Sequence, residues 1–239
     1  MKYFRTLMLA MVSVLIFTLS LISPAVADNS FIDLISSTKI YFSHIATTDG
    51  WQTEVAVLNP TASSASGTLT PYNADGYPVS QAIPITLPAH GRYQAEVGRT
   101  FSAAWNIAYI VLTSETFGLK GYSKFYTGGV RASIMASGPK NDGLFTKIDH
   151  AGWTGIAFVN SAPETANITL SAYNDAGGVV AVNSMQVLSG VKVVMPVEQI
   201  FTQSLAGATY VGYHSDQGVV GFFLNGSGDG AMLDGSQAL

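Results

Sequence analysis

An all-β protein built from two tandem β-sandwiches is what this 239-residue sequence predicts, on three observations. The first is internal repetition. Gly50 to Gly76 reads GWQTEVAVLNPTASSASGTLTPYNADG, and the stretch from Gly152 reads GWTGIAFVNSAPETANITLSAYNDAG. The second is composition. Only 11% of residues are charged, so the wet faces of long amphipathic helices have no supply of Glu, Lys and Arg. Very little helix is expected. The third is periodicity: short runs alternate apolar and polar side chains, with turn residues between them at roughly 8–12-residue spacing.

In chain order, Lys2 and Arg5 precede an apolar run from Leu7 to Ile22, closed by Pro24 and Ala25-Val26-Ala27. This is the layout of a signal peptide over residues 1–27, with cleavage before Asp28. The apolar run is shorter than the ~20 residues of a comfortable membrane span, so export to the periplasm or medium is expected, with no retained anchor. The chain has no Cys, which excludes a lipoprotein anchor, disulfides and thiolate metal sites. A formal net charge of −4 argues against nucleic acid, which needs a clustered basic face. Residues 28–38 read as a lead-in, with an apolar patch at Phe31-Ile32-Asp33-Leu34-Ile35.

The first sandwich is expected over 39–138. Ile40 to Ile45 is β-rich. From Trp51, the side chains of Thr53, Val55 and Val57 fall on one face and Gln52, Glu54, Ala56 and Leu58 on the other. Asn59-Pro60 ends that strand. Gly67 to Tyr72 follows, where Pro71 suggests an edge strand or bulge, and Asn73-Ala74-Asp75-Gly76 makes a turn. Ile83 to Leu87, Arg92 to Val97, Ala108 to Thr113, Phe117 to Tyr126 and Val130 to Ala136 complete the unit. The nearly continuous apolar run Ala108–Thr113 reads as buried on both faces. Residues 139–143, polar and rich in breakers, read as a linker.

The second sandwich, 144–239, answers the first: Asn160 to Asn59, Thr169–Asn174 to Thr68–Asn73, Phe201 to Phe101, Tyr210 to Tyr109 and Gly221-Phe222 to Gly121-Tyr122. Trp153 lies one residue closer to its Asn than Trp51 does, which reverses strand parity. Either the two tryptophans face opposite ways, or a bulge near Thr154-Gly155 restores the register; the bulge is the expectation, because Gly155 makes one cheap. With both Trp side chains in cores, replacement of either by Ala should cost roughly 3–5 kcal/mol.

The Gly-Trp, Asn59-Pro60 (Asn160-Ser161) and Tyr-Asn-x-x-Gly pattern resembles a repeat of about one hundred residues that occurs in tandem in uncharacterised exported bacterial proteins. The resemblance runs from Lys39 to about Leu233. It implies immunoglobulin-like β-sandwich modules used as extracellular building blocks, and it carries over no site residues.

No constellation of residues names a reaction. His214-Ser215-Asp216 holds three triad residue types, but neighbours on a strand end point alternately and cannot form a relay; a polar turn is expected. His44, His90, His150 and His214 show no metal-ligand spacing. Asn225 to Gly230 resembles the start of a calcium loop without its closing Glu, and a glycine-rich hairpin is the expectation. No cofactor and no metal are expected. Tyr77, Tyr93, Tyr122 and Tyr126, with Tyr72 and Phe125 near them in sequence, form the candidate binding surface, against the alternative of cross-strand packing. The sequence thus points to a non-enzymatic structural or adhesive module whose partner is an extracellular protein or glycan. The alternative is a carbohydrate-binding module using exposed aromatics.

Overall fold

The apolar alternation in each run is enough to build paired sheets, and the computed structural model describes them over residues 38–239. The leader and residues 28–37 of the lead-in lie outside the described residues, with the expectations placed on them. The first repeat comprises β1 (Thr38–Phe42), β2 (Gln52–Leu58), β3 (Ala65–Tyr72), β4 (Ile83–Leu87), β5 (Arg92–Glu96), β6 (Tyr109–Ser114), β7 (Lys120–Thr127) and β8 (Val130–Met135). Its front sheet has the order β1-β6-β3-β4 and its back sheet β5-β2-β7-β8, all antiparallel. Ile40, Phe42, Leu69, Ile110 and Leu112 from the front meet Val55 and Val57 from the back in one core.

The second repeat comprises β9 (Lys140–Phe145), β10 (Trp153–Asn160), β11 (Ala166–Tyr173), β12 (Val179–Val187), β13 (Lys192–Pro196), β14 (Tyr210–Gly226) and β15 (Leu233–Gln237). Strand β14 does the work of both β6 and β7. Its first half pairs with β11 and β9, and its second half with β10 and β15. The front layer is therefore β9-β14-β11-β12 and the back layer β13-β10-β14-β15, the strand order of the first repeat. Among the described residues, helix is confined to α1 (Val97–Thr100), α2 (Val197–Ile200) and a 3-10 turn at Ala104–Asn106. The all-β sandwich class expected from the sequence is the class observed.

Correspondence extends to buried polar groups. Asn59 and Asn160 are both buried after their strands. The Nδ2 of Asn59 donates to the carbonyls of Ser63 and Pro88, and that of Asn160 to those of Glu164 and Val187. Each buried Asn thus ties its loop to the strand end by donating to two carbonyls, which satisfies its own amide. Gly121 and Gly221 also match: an added Cβ would lie 2.8 Å from the Phe42 ring and 3.1 Å from the Phe145 ring. Gly121→Ala should therefore cost about 1–3 kcal/mol by overpacking, while Gly129→Ala, with open space around it, should cost far less. Urea denaturation of the two variants checks this, and equal losses would refute it.

Four expectations need correction. Residues 140–143 of the supposed linker belong to β9, because Asp142, Gly143 and Leu144 pair with His214, Tyr213 and Gly212. Small Gly143 leaves room for the Tyr213 ring, a large–small exchange for the Ile40–Leu112 pair of the first repeat. No bulge interrupts β10 against β14: the register runs unbroken from Trp153–Gly226 to Asn160–Val219. The two tryptophans consequently face opposite ways. Trp51 packs on Phe125, whereas Trp153 lies over Gly226 with 42% of its surface exposed. The full core-Trp cost is therefore no longer expected at Trp153. His214-Ser215-Asp216 is strand, not turn, since β14 continues through it. Pro71 lies in an interior strand, paired with Ile110. It is tolerated because pairing of β3 with β4 ends at Leu69, so no ladder partner needs its missing N–H.

Residues 38–239 lie within one compact unit in which the repeats share two further apolar clusters. Tyr41, Tyr109 and Val111, on the outer side of the first front sheet, meet Val159 and Val220 on the outer side of the second back layer. Phe125 and Ile134 meet Ala157, Phe222 and Leu224. Strand β6 is buried on both faces for this reason. At the seam, Gly76 takes φ +84°, and a Cβ there would lie 2.7 Å from the Gly190 carbonyl.

Candidate functional site

A strand pattern that places tyrosine at the end of β3 and the start of β6 puts two rings side by side, because Tyr72 and Tyr109 are a cross-strand pair. The rings stack with centroids 5.1 Å apart at 5°. The repeat forms the same pair from Tyr173 and Tyr210, 5.1 Å apart at 15°. Their surroundings differ. Tyr109 is buried between the repeats and donates its hydroxyl to the Gly190 carbonyl at 2.7 Å. Burial, reinforced by Tyr41 and Tyr72, raises its pKa far above the ordinary phenol value. Tyr173 and Tyr210 are only partly covered and line an open groove of about 880 Å³ with Leu144, Thr169, Gly212 and His214.

The groove has a polar end. His214 Nδ1 and Asp142 Oδ1 lie 2.7 Å apart across β14 and β9. Tyr213 reaches it from the core side; its hydroxyl has no partner among the described residues, and burial first, then Asp142, pushes its pKa up to about 12. Asp216 accepts from the backbone N–H and side-chain amide of Asn167, so His214 and Asp216 answer to different partners and no relay links them.

The candidate tyrosines do not form one surface. Tyr122 and Tyr126 share the outer side of β7. Tyr122 accepts from Arg92 at 2.6 Å and donates to Glu54 at 3.0 Å, and the Arg92 guanidinium sits 5.9 Å over its ring. Lys124 Nζ sits 5.6 Å over the Tyr126 ring. Tyr93, paired with Val57, points to the core side instead, and burial raises its pKa. Tyr77 is 68% exposed in the turn after β3, remote in the fold pattern from the outer side of β7. The sequence reading passed over Tyr173 and Tyr210, although the match of Tyr210 to Tyr109 was the signal that could have found them.

The seam holds the other unforeseen group. Lys192 Nζ donates to the Ala108 carbonyl at 2.8 Å, lies 3.4 Å from His44 Nδ1 and sits 5.3 Å over the Phe222 ring. Among the described residues no carboxylate pairs with it, and burial brings its pKa down to about 7. Burial first, then Lys192, lowers the pKa of His44 well below its usual value. At Asn225–Gly230 the structure forms the β14–β15 hairpin; the Asn225 Oδ1 accepts from Thr154 and Asp229 caps the turn. Among the described residues no group of three His, Cys, Asp or Glu could hold a metal, and no helix is long and apolar enough to cross a membrane.

No protein-family model matches the chain, and no curated protein matches it. Among solved structures, it is similar to Thermotoga maritima 1070 at 13% identity and TM-score 0.36, over 42% of this chain and 94% of that one. It is similar to an enterococcal surface protein's partial N-terminal region at 8% identity and TM-score 0.25, over 84% and 88%. A β-glucuronidase of glycoside hydrolase family 2 matches at 7% identity and TM-score 0.20, over 84% of this chain and 23% of that one. None of these likenesses bears on what the chain binds.

Proposed function

We propose that the chain is a non-enzymatic, exported structural or adhesive module that presents the Tyr173–Tyr210 face to a protein partner. One observation carries this reading: Tyr109 of the first tyrosine pair is buried in the contact between the repeats, while its counterpart Tyr210 lines an open groove. Tyrosine suits such a surface because it offers large rigid area with a polar tip. A glycan platform is less well supported. Sugar stacking needs a bare ring face, yet Tyr173 and Tyr210 stack on each other, and Tyr122 and Tyr126 each carry a cation over the ring.

A photocrosslinker at Thr169, in the groove, should give a protein adduct in the native exported fraction, and a polysaccharide panel should leave Tyr and Trp emission unchanged. Saturable quenching by a polysaccharide that Tyr210→Ala removes, without a protein adduct, would establish the carbohydrate reading instead.

A further inference from the structure

We propose that the partner of the Tyr173–Tyr210 face is a second copy of this chain, joined head to tail; this rests on the binding role proposed for that face. The contact between the repeats is heterologous. The front face of the first repeat (Tyr41, Tyr109, Val111) packs on the back face of the second (Val159, Val220). The two surfaces left uncovered among the described residues are the repeat counterparts of these: the front face of the second repeat and the back face of the first. Strand registers fix the correspondence. Leu144, Tyr173 and Tyr210 stand where Tyr41, Tyr72 and Tyr109 stand. Leu58, Tyr122 and Arg92 stand where Val159, Phe222 and Lys192 stand. A chain that carries both halves of a heterologous contact, one at each end, can repeat it between molecules.

Details of the inner contact recur on the free faces. Lys192 over Phe222 is matched by Arg92 over Tyr122. The Gly76 turn that touches Gly190 is matched by Gly177 at φ +78°, where an added Cβ would meet nothing within 4 Å, and Gly190 at φ +73° is matched by His90 at φ +58°. Leu144 and Leu58 are 45% and 37% exposed on their faces. The differences set the strength. Asn225 and Ser236 replace Phe125 and Ile134, so the second apolar cluster has no counterpart. Lys120 and Lys124 replace Val220 and Leu224, joining Arg92 on the back face of the first repeat. Asp142 replaces Lys39 on the front face of the second. Glu54 and Glu96 share the back face of the first repeat and Arg92 is already paired with Glu54, so the basic excess there is small. With the second apolar cluster lost and only this excess facing Asp142, the contact between chains is weaker, reversible and weakened by salt.

Sedimentation velocity of the chain from Asp28 onward, over a concentration series at low salt and at high salt, tests this. A concentration-dependent ladder of oligomers that salt shortens is expected. Leu58→Asp on one face and Tyr210→Ala on the other should each weaken association about tenfold or more, with an unchanged thermal midpoint. If Tyr210→Ala lowers the midpoint, Leu144→Lys on the same face replaces it. Mixing the two variants should give a one-to-one dimer and nothing longer, because each retains one working face. A monomer at every concentration, or oligomers that both substitutions leave intact, would overturn the proposal. If the chain stays monomeric while the Thr169 crosslink captures a different protein, the binding reading stands and self-assembly falls.

Discussion

Lys192→Met should raise the unfolding free energy by about 1–4 kcal/mol near pH 6, because it replaces an unpaired buried ammonium by an apolar side chain of similar length. The gain is partly offset at the Ala108 carbonyl, which loses one of its two donors and keeps the Ile45 N–H. The pH dependence identifies the cause. With the folded-state pKa at about 7 and an unfolded value near 10.5, both states are protonated below pH 7, and the folded state bears the full cost of the buried charge. Between those values the unfolded chain holds more protons, so wild-type stability should rise with pH. His44 acts in the same sense at lower pH, since its folded pKa is also depressed. The groups that face the pair are the rings of Phe125 and Phe222 and the Ala108 carbonyl, none of them titratable. Urea titrations at pH 6, 8 and 10 should show the Lys192→Met advantage shrinking as pH rises. An advantage that does not change with pH would show that Lys192 is charged and solvated in the folded protein.

Phe222→Ala should lower stability by about 3–5 kcal/mol. The ring is fully buried, packs with Phe125 and Leu224 between the repeats, and lies 5.5 Å from His44 and 5.3 Å from Lys192. Its loss removes apolar contact from both repeats at once and strips the Lys192 amine of its aromatic neighbour. Tyr122→Ala, the same position in the first repeat but on a free face, should cost far less. Guanidinium denaturation of the pair compares them directly, and similar losses would mean that the seam adds nothing to stability.

Most of the architecture was legible in the sequence, because alternation in runs such as Gln52–Leu58 and the match of Asn160 to Asn59 report local geometry and repeat register. Ala108–Thr113 even announced its double burial. What the sequence hid was what covers each outer face. An apolar outer side, as at Ala157, Val159 and Phe222, reads like any core strand, and only the packing of the repeats shows that it faces a neighbour. Tyrosines that crowd in the chain scatter in the fold: Tyr93 turns inward and Tyr122 is held by Arg92 and Glu54. The strand β9 at 140–145 was missed because Gly143 and its polar neighbours look like a breaker run, and the Tyr213 ring that fills the gap is about seventy residues away in the chain.

The central claim is that Tyr109 is sealed between the repeats while its counterpart Tyr210 lines an open groove. Tetranitromethane nitration of the protein at high dilution, read by peptide mass spectrometry, tests it most directly. Tyr173 and Tyr210 should be modified while Tyr109 stays unmodified. Nitration of Tyr109 as rapid as that of Tyr210 would show that the repeats do not close on each other, and would contradict the account.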